Sequence, residues 1–256
     1  MSKVVVFNQP GDADVLTIQD MPVSAPRADE VQIRVRAIGI NRAEIMYRTG
    51  QYIYQPKFPA RLGYEASGVV ESVGDNVREF APGDIVSVIP AFSFHEYGMY
   101  GEVVNAPAHA VVKHPENLSF EEAAASWMMY VTAFGALVEY ADIKPGDNVL
   151  INAASSSVGL AAIQIANMRG AKPIAMTRTS EKRAQLLQLG AAEVIASQEQ
   201  DLVAEINRIT DGKGTRVVFD PVGGPGVAKI AQVMPVGGLF FQYGSLDARD
   251  LSIPVI

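Results

Sequence analysis

Two short stretches hold the residues whose types and spacing could do chemistry. The first is Asn148-Val-Leu-Ile-Asn-Ala-Ala-Ser-Ser-Ser-Val-Gly159, followed by Leu160-Ala-Ala-Ile-Gln-Ile-Ala-Asn-Met-Arg-Gly170. It reads as a buried strand, a tight turn of small residues and a helix with small residues on its sheet-facing side. A dinucleotide pyrophosphate needs that arrangement: the backbone must approach closely, and the free N–H groups at the helix N-terminus must face the phosphates. At the glycine positions of the G-x-G-x-x-G fingerprint stand Ala154, Ser156 and Gly159,. The hydroxyls of Ser155, Ser156 and Ser157 are expected to face the pyrophosphate in place of the absent glycines, with Val158 and Gly159 completing the turn. The second stretch, Thr177-Arg178-Thr179, lies about twenty residues further on, where an NAD site places an acid on the ribose 2′-hydroxyl,. Arginine suits a 2′-phosphate instead. NADP(H) is therefore the expected cofactor, with Arg178 its main determinant and Lys182 assisting.

An ordinary strand-to-helix connection with a serine N-cap has the same local pattern, so the surrounding elements matter. From about residue 148 the chain alternates strand and helix patterns. Strands read at 148–153, 172–177, 193–197, 215–220 and 238–244, and helices at 157–169, 180–189, 200–210 and 224–234. That alternation implies an α/β architecture with a doubly wound parallel sheet and a ligand crevice at the carboxyl ends of its strands. Tyr243-Gly244-Ser245 ends the fifth strand at that edge. The first half reads differently. Val31-Gln-Ile-Arg-Val-Arg-Ala-Ile38 alternates apolar and polar residues as a half-exposed strand does,. Strands at 68–73, 84–89 and 110–113, punctuated by Pro82-Gly83-Asp84 and Gly74-Asp75-Asn76, make this half a β-rich barrel or rolled sheet,. A short helix is expected from Asn41 to Tyr47, and a longer one from Phe120 to Tyr140 joins the halves. The expected domains are 1–125 and 126–256.

Composition narrows the function classes. The 256 residues are 48% hydrophobic and 19% charged, a globular composition,. The absence of cysteine excludes disulfides and thiolate metal sites,. A net charge of −7 argues against nucleic acid as a main partner,. No apolar run approaches the roughly twenty residues of a membrane span, and Met1–Phe7 lacks the pattern of a signal peptide. A soluble, cytoplasmic protein is expected.

Further stretches carry a family resemblance: Gly39-Ile-Asn-Arg-Ala-Glu-Ile-Met-Tyr-Arg-Thr-Gly-Gln-Tyr52, Leu62-Gly-Tyr-Glu-Ala-Ser-Gly-Val-Val70 and Val77-Arg-Glu-Phe-Ala-Pro-Gly-Asp84. Glu121-Glu-Ala-Ala-Ala125, the Thr132-Ala133 pair and Lys144-Pro-Gly-Asp147 follow in order. Across its whole length the chain resembles the medium-chain dehydrogenase/reductases, specifically their zinc-free quinone-oxidoreductase branch. The resemblance implies an N-terminal GroES-like catalytic domain, a C-terminal Rossmann domain, and hydride transfer from NADPH to a quinone or α,β-unsaturated carbonyl.

Zinc-dependent members have a cysteine where Asn41 stands and a histidine where Tyr64 stands. Neither replacement suits zinc, which prefers thiolate, imidazole and carboxylate, so no metal is expected. The three histidines, His95, His109 and His114, read as surface or loop residues. By the same resemblance Asn41 is expected near the nicotinamide or the substrate carbonyl. Tyr47, Tyr52 and Tyr64 lie in the segment lining the family's substrate cleft, with Tyr52 best placed as a donor. Asn41, Tyr52 and Tyr64 are thus the candidate catalytic residues. Asn41, Thr132 and the Tyr243-Gly244-Ser245 segment join the cofactor set, and Trp127 and Met128 are candidate walls of the nicotinamide pocket.

Family members continue past the position of Ile256 and add a sixth strand, so the Rossmann domain is expected to be C-terminally truncated. Strand five would then form an edge beside the apolar tail Leu251–Ile256, and the homodimer expected of the full-length form would be compromised. Two other readings compete: a zinc-dependent alcohol dehydrogenase-like enzyme, and a nucleotide-binding protein with a structural or regulatory role.

Overall fold

A computed structural model describes residues 1–253, and the chain divides into two units, Met1–Met128 and Met129–Ile256. The first unit holds β1 (Ser2–Phe7), β2 (Thr17–Met21), β3 (Glu30–Ile38), α1 (Arg42–Arg48), β4 (Ala60–Arg61), β5 (Ala66–Val73), β6 (Ile85–Val88), β7 (Val103–Pro107), β8 (Val111–Lys113) and α2 (Phe120–Ala124). Its strands form two antiparallel sheets, ordered β2-β1-β4 and β7-β3-β5-β6-β8. The inward residues of the larger sheet, Val31, Ile33, Ala66, Val70, Val86, Val88, Val104 and Ala106, make one core. Alternation marked β3 because one of its faces is dry. It did not mark β2, whose residues are almost all exposed and carry no apolar stripe.

The helix expected over 120–140 is interrupted. After α2 the chain restarts as α3 (Trp127–Phe134) and ends in a π-helical turn, Gly135–Tyr140. In an unbroken helix the Met128 N–H would bond the Ala124 carbonyl; here it donates to Glu65 Oε2 at 2.8 Å,. A buried carboxylate outcompetes the helix ladder for that donor.

The second unit continues with β9 (Asn148–Ile151), α4 (Ser157–Met168), β10 (Lys172–Thr177), α5 (Arg183–Gln188), β11 (Glu193–Ala196), α6 (Leu202–Thr210), β12 (Val217–Asp220), α7 (Val227–Ala231) and β13 (Leu239–Gln242). All pairings are parallel, in the order β11-β10-β9-β12-β13. Both faces are covered, so the strands read as continuous apolar runs rather than alternating ones. Val149 and Ile151 of β9 pack with Ala161, Ala162 and Ile165 of α4. Leu150, pointing the other way, packs with Ile206 of α6 and Ile230 of α7. The strand order reverses between β9 and β12, and that switch point is where open α/β sheets take ligands. Among the described residues β13 pairs only with β12. Of the apolar tail, Pro254, Val255 and Ile256 lie outside the described residues.

Leu150 is fully buried at the centre of this sheet. Leu150→Ala is expected to cost about 2–5 kcal/mol through lost burial and a residual cavity. Chemical denaturation checks this, and a change under ~1 kcal/mol would mean that the sheet is not packed as described.

Candidate functional site

In the second unit, β9 delivers the chain to a turn held by its own polar groups. The Asn152 N–H donates to the Phe219 carbonyl at 3.0 Å, and Asn152 Oδ1 accepts from the Ala153 N–H at 2.8 Å. Ala153 takes a left-handed conformation, φ 47°, which turns the chain sharply into α4,. Ser156 caps that helix, its Oγ accepting from the Gly159 N–H at 3.1 Å,. Gly159 is required by contact: a Cβ there would lie 2.7 Å from Ala154 Cα. The missing side chain lets α4 press against the turn, which is the role of the third glycine in the fingerprint.

The carboxyl ends of β9 and β12 meet at this switch point. Asn152 Nδ2 donates to Asp220 Oδ1 at 3.0 Å, and the Val222 N–H donates to the same oxygen at 2.7 Å. Asp220 is fully buried, and burial pushes its pKa up against these bonds, which favour the charged form. Beside the turn lies a cavity of about 930 Å³, lined by Asn152, Ala153, Ser155, Ser156, Thr177 and Arg178 among others. That is the size of a pocket for a large small-molecule ligand. Lys229 of α7 and Arg249 line it too, from far along the chain. The Arg249 guanidinium is bonded to Asp247, whose carboxyl it pulls down to about 2. The cationic heads of Arg178 and Lys229 have no partner among the described residues.

Other expected cofactor residues lie outside that lining. Ser157 is exposed at the start of α4, and Val158 and Gly159 sit in its first turn. Thr179 and Lys182 are exposed beyond β10, in and beside a short 3-10 turn. Tyr243 stacks on Phe219 with centroids 4.1 Å apart, followed by Gly244 and Ser245, and Thr132 is half-buried on α3. Lys229 had no sequence signal, because nothing local distinguishes it from a solvated helix lysine.

In the first unit, Asn41 ends the segment after β3 and caps α1. Its backbone N–H donates to Glu44 Oε2 at 2.6 Å, and its amide Nδ2 to Glu65 Oε1 at 2.9 Å. Glu44 also accepts from the Tyr64 N–H at 3.0 Å and the Tyr100 hydroxyl at 2.8 Å. Both acids are buried, and burial first raises each pKa, with the Glu65 charge adding to the rise at Glu44. Gly39 makes room for this pair: a Cβ there would lie 2.3 Å from Glu65 Cγ.

Tyr64 is brought together with Tyr52 and with Tyr54, which the sequence had not singled out. The Tyr64 hydroxyl lies 3.1 Å from each of theirs. Tyr47 is instead a core residue, 1% exposed and stacked on Phe94 at 4.7 Å. Trp127 is half-buried, and Met128 packs beside the same aromatic cluster. Among the described residues no group of three His, Cys, Asp or Glu side chains could hold a metal ion. Of the three histidines read as surface or loop residues, His114 lies in the loop after β8 but is buried, with Nδ1 3.1 Å from Ser87 Oγ. Among the described residues no helix is long and apolar enough to cross a membrane.

Glu65 has a measurable signature. Its folded pKa is raised above the ordinary value of 4.5, so it binds its proton more tightly folded than unfolded. Its stabilising contribution is fully present below that value and is lost as pH rises through the folded pKa. Glu65→Gln removes the titration, so relative to the wild type its stability is expected to rise as the pH increases above 4.5,. Denaturation midpoints across that range check this; parallel pH profiles would exclude it.

The family model described as zinc-binding dehydrogenase matches residues 157–255, and that described as alcohol dehydrogenase GroES-like domain matches 27–116. Human quinone oxidoreductase is 35% identical over 252 residues, 98% of this chain and 75% of its own length. The structure of Escherichia coli quinone oxidoreductase complexed with NADPH matches with a TM-score of 0.87 at 33% identity, over 99% of this chain and 76% of that one. The CurK enoyl reductase structure matches with a TM-score of 0.87 at 28% identity, over 96% and 74%.

Proposed function

The chain belongs to the medium-chain dehydrogenase/reductase family, in its quinone-oxidoreductase-like branch, and from that membership, which makes it a nicotinamide-dependent oxidoreductase, we propose that it reduces quinones or α,β-unsaturated carbonyls with NADPH and without a metal. One observation carries the cofactor preference: the unpartnered cations of Arg178 and Lys229 line a cavity at the switch point of the parallel sheet. A 2′-phosphate is the group that two free cations there would recognise. The Gly159 contact and the N-terminus of α4 fit the pyrophosphate,.

When bound, the reduced nicotinamide supplies the hydride. Ser155, Ser156 and the first-turn N–H groups of α4 bind the pyrophosphate, and Thr177 and Arg178 orient the adenosine end. Reduction of an electron-poor carbon would leave negative charge on the substrate oxygen, the atom that a donor of this chain would have to meet. The Tyr52 hydroxyl hydrogen-bonds that oxygen, and a proton from solvent completes the product. The Asn41 amide is fixed in place, its nitrogen donating to Glu65 and its oxygen facing the first turn of α1 in a capping box. An electron-poor acceptor needs no Lewis acid for this, whereas dehydrogenating a simple alcohol does.

Loss of reduced-nicotinamide absorbance is to be followed with a panel of 1,4-quinones and enones. Substrate-dependent NADPH oxidation is expected, and NADPH binding without turnover across the panel would leave only a nucleotide-binding protein. Arg178→Ala should weaken NADPH by about 10- to 150-fold, the effect of one charge-assisted hydrogen bond, and leave NADH nearly unchanged. Fluorescence titration of both cofactors checks it; equal losses would remove Arg178 from the 2′-phosphate. Turnover should also survive dialysis against a strong chelator, and activity lost there and restored by zinc would overturn the metal-free reading.

A further inference from the structure

We infer that Tyr54 and Tyr64 are positioning residues that hold the Tyr52 hydroxyl as a hydrogen-bond donor, through a directional chain running from the Phe94 N–H to Tyr54, Tyr64 and Tyr52. The assignment of that donor to the substrate oxygen rests on the function proposed above; the direction of the chain does not.

The direction follows from counting protons. A phenol has one proton to give and lone pairs to accept with, whereas a backbone N–H can only donate. The Phe94 N–H donates to the Tyr54 oxygen at 3.1 Å, so Tyr54 is the acceptor in that bond. The Tyr54 proton then has the Tyr64 oxygen before it, also at 3.1 Å. Tyr64 is only 7% exposed, so its own proton needs an acceptor within the protein,. Having accepted from Tyr54, it donates to Tyr52 at 3.1 Å. Tyr52 has now accepted, and its proton has no acceptor among the described residues. Reversed, the chain would load Tyr54 with two donors, strand its own proton, and turn the Tyr52 lone pairs toward any incoming carbonyl oxygen. Bonds arranged head to tail polarise one another, which makes the terminal hydroxyl a stronger donor than an isolated phenol.

The rings leave little freedom to rearrange. Tyr52 and Tyr54 meet edge to face at 5.1 Å, and Tyr64 lies against Phe94 at 3.8 Å. Burial raises the Tyr64 pKa strongly, and the bonds to Tyr52 and Tyr54 raise it further, so Tyr64 keeps the proton that the chain requires.

Tyr52→Phe, Tyr54→Phe and Tyr64→Phe, each the loss of one oxygen atom, test the chain together with the double variant Tyr52→Phe/Tyr64→Phe. Tyr64→Phe is expected to lower kcat about 2- to 12-fold, the effect of one neutral hydrogen bond, with KM for NADPH unchanged. Tyr52→Phe should lower kcat on the order of 10²-fold, as loss of a charge-stabilising donor does. In the Tyr52→Phe background, Tyr64→Phe should add nothing, because it acts only through Tyr52. Independently of turnover, NMR of protein labelled with ¹³C at tyrosine Cζ should show the Tyr52 resonance moving in Tyr64→Phe and in Tyr54→Phe. Multiplying losses in the double variant, or a Tyr52 resonance indifferent to both changes, would overturn the chain while leaving Tyr52 as donor. Wild-type turnover in Tyr52→Phe with a moving resonance would keep the chain and overturn its assignment to the substrate. Should Tyr64→Phe fail to fold, Tyr54→Phe breaks the same chain one step earlier, at a half-buried position.

Discussion

A carboxylate taken out of water must be met by donors, or its burial costs more than the surrounding packing returns. Among the buried carboxylates of the described residues, Glu44 and Glu65 in the first unit and Asp220 in the second tie together the segments of the candidate sites. Glu44 gathers the Asn41 and Tyr64 N–H groups and the Tyr100 hydroxyl. Glu65 gathers the Asn41 amide and the Met128 N–H. Asp220 gathers the Asn152 amide and the Val222 N–H. Each acid therefore pins segments distant in sequence, and the break in the helical stretch between Ala124 and Trp127 follows from one of these demands.

The same demand shapes the chemistry available. Glu65 has both oxygens committed to N–H donors. The Tyr64 hydroxyl is bonded to two other phenols. The first unit thus offers neutral hydroxyl and amide groups, which suit an acceptor already short of electrons. The second unit has the opposite character. Its acids near the cavity are satisfied, Asp220 by amides and Asp247 by Arg249, while Arg178 and Lys229 are left open. Cations without partners on a cavity wall are a standing attraction for an anion.

The parallel sheet was legible in the chain because burial on both faces demands unbroken runs such as Val149-Leu-Ile151 and Val217-Val-Phe219,. The strand-turn-helix at Ser156 and the half-exposed β3 were legible for related reasons: capping and alternation are local patterns. β2 was not, since an exposed strand bears no apolar mark, and neither was the burial of His114, whose neighbours resemble those of a surface loop. The amino-acid order by itself determined the class of fold, the place of the strand-to-helix turn before α4 and the position of Arg178 after the second parallel strand. Only the tertiary structure decided that Lys229 shares the wall with Arg178, that Glu65 takes the Asn41 amide, and that Tyr54 completes a chain of hydroxyls through Tyr64 to Tyr52. The reason is physical. Periodicity reports which side of an element is dry, whereas hydrogen-bond partners from distant segments are selected by where the packed elements bring their donors and acceptors within about 3 Å.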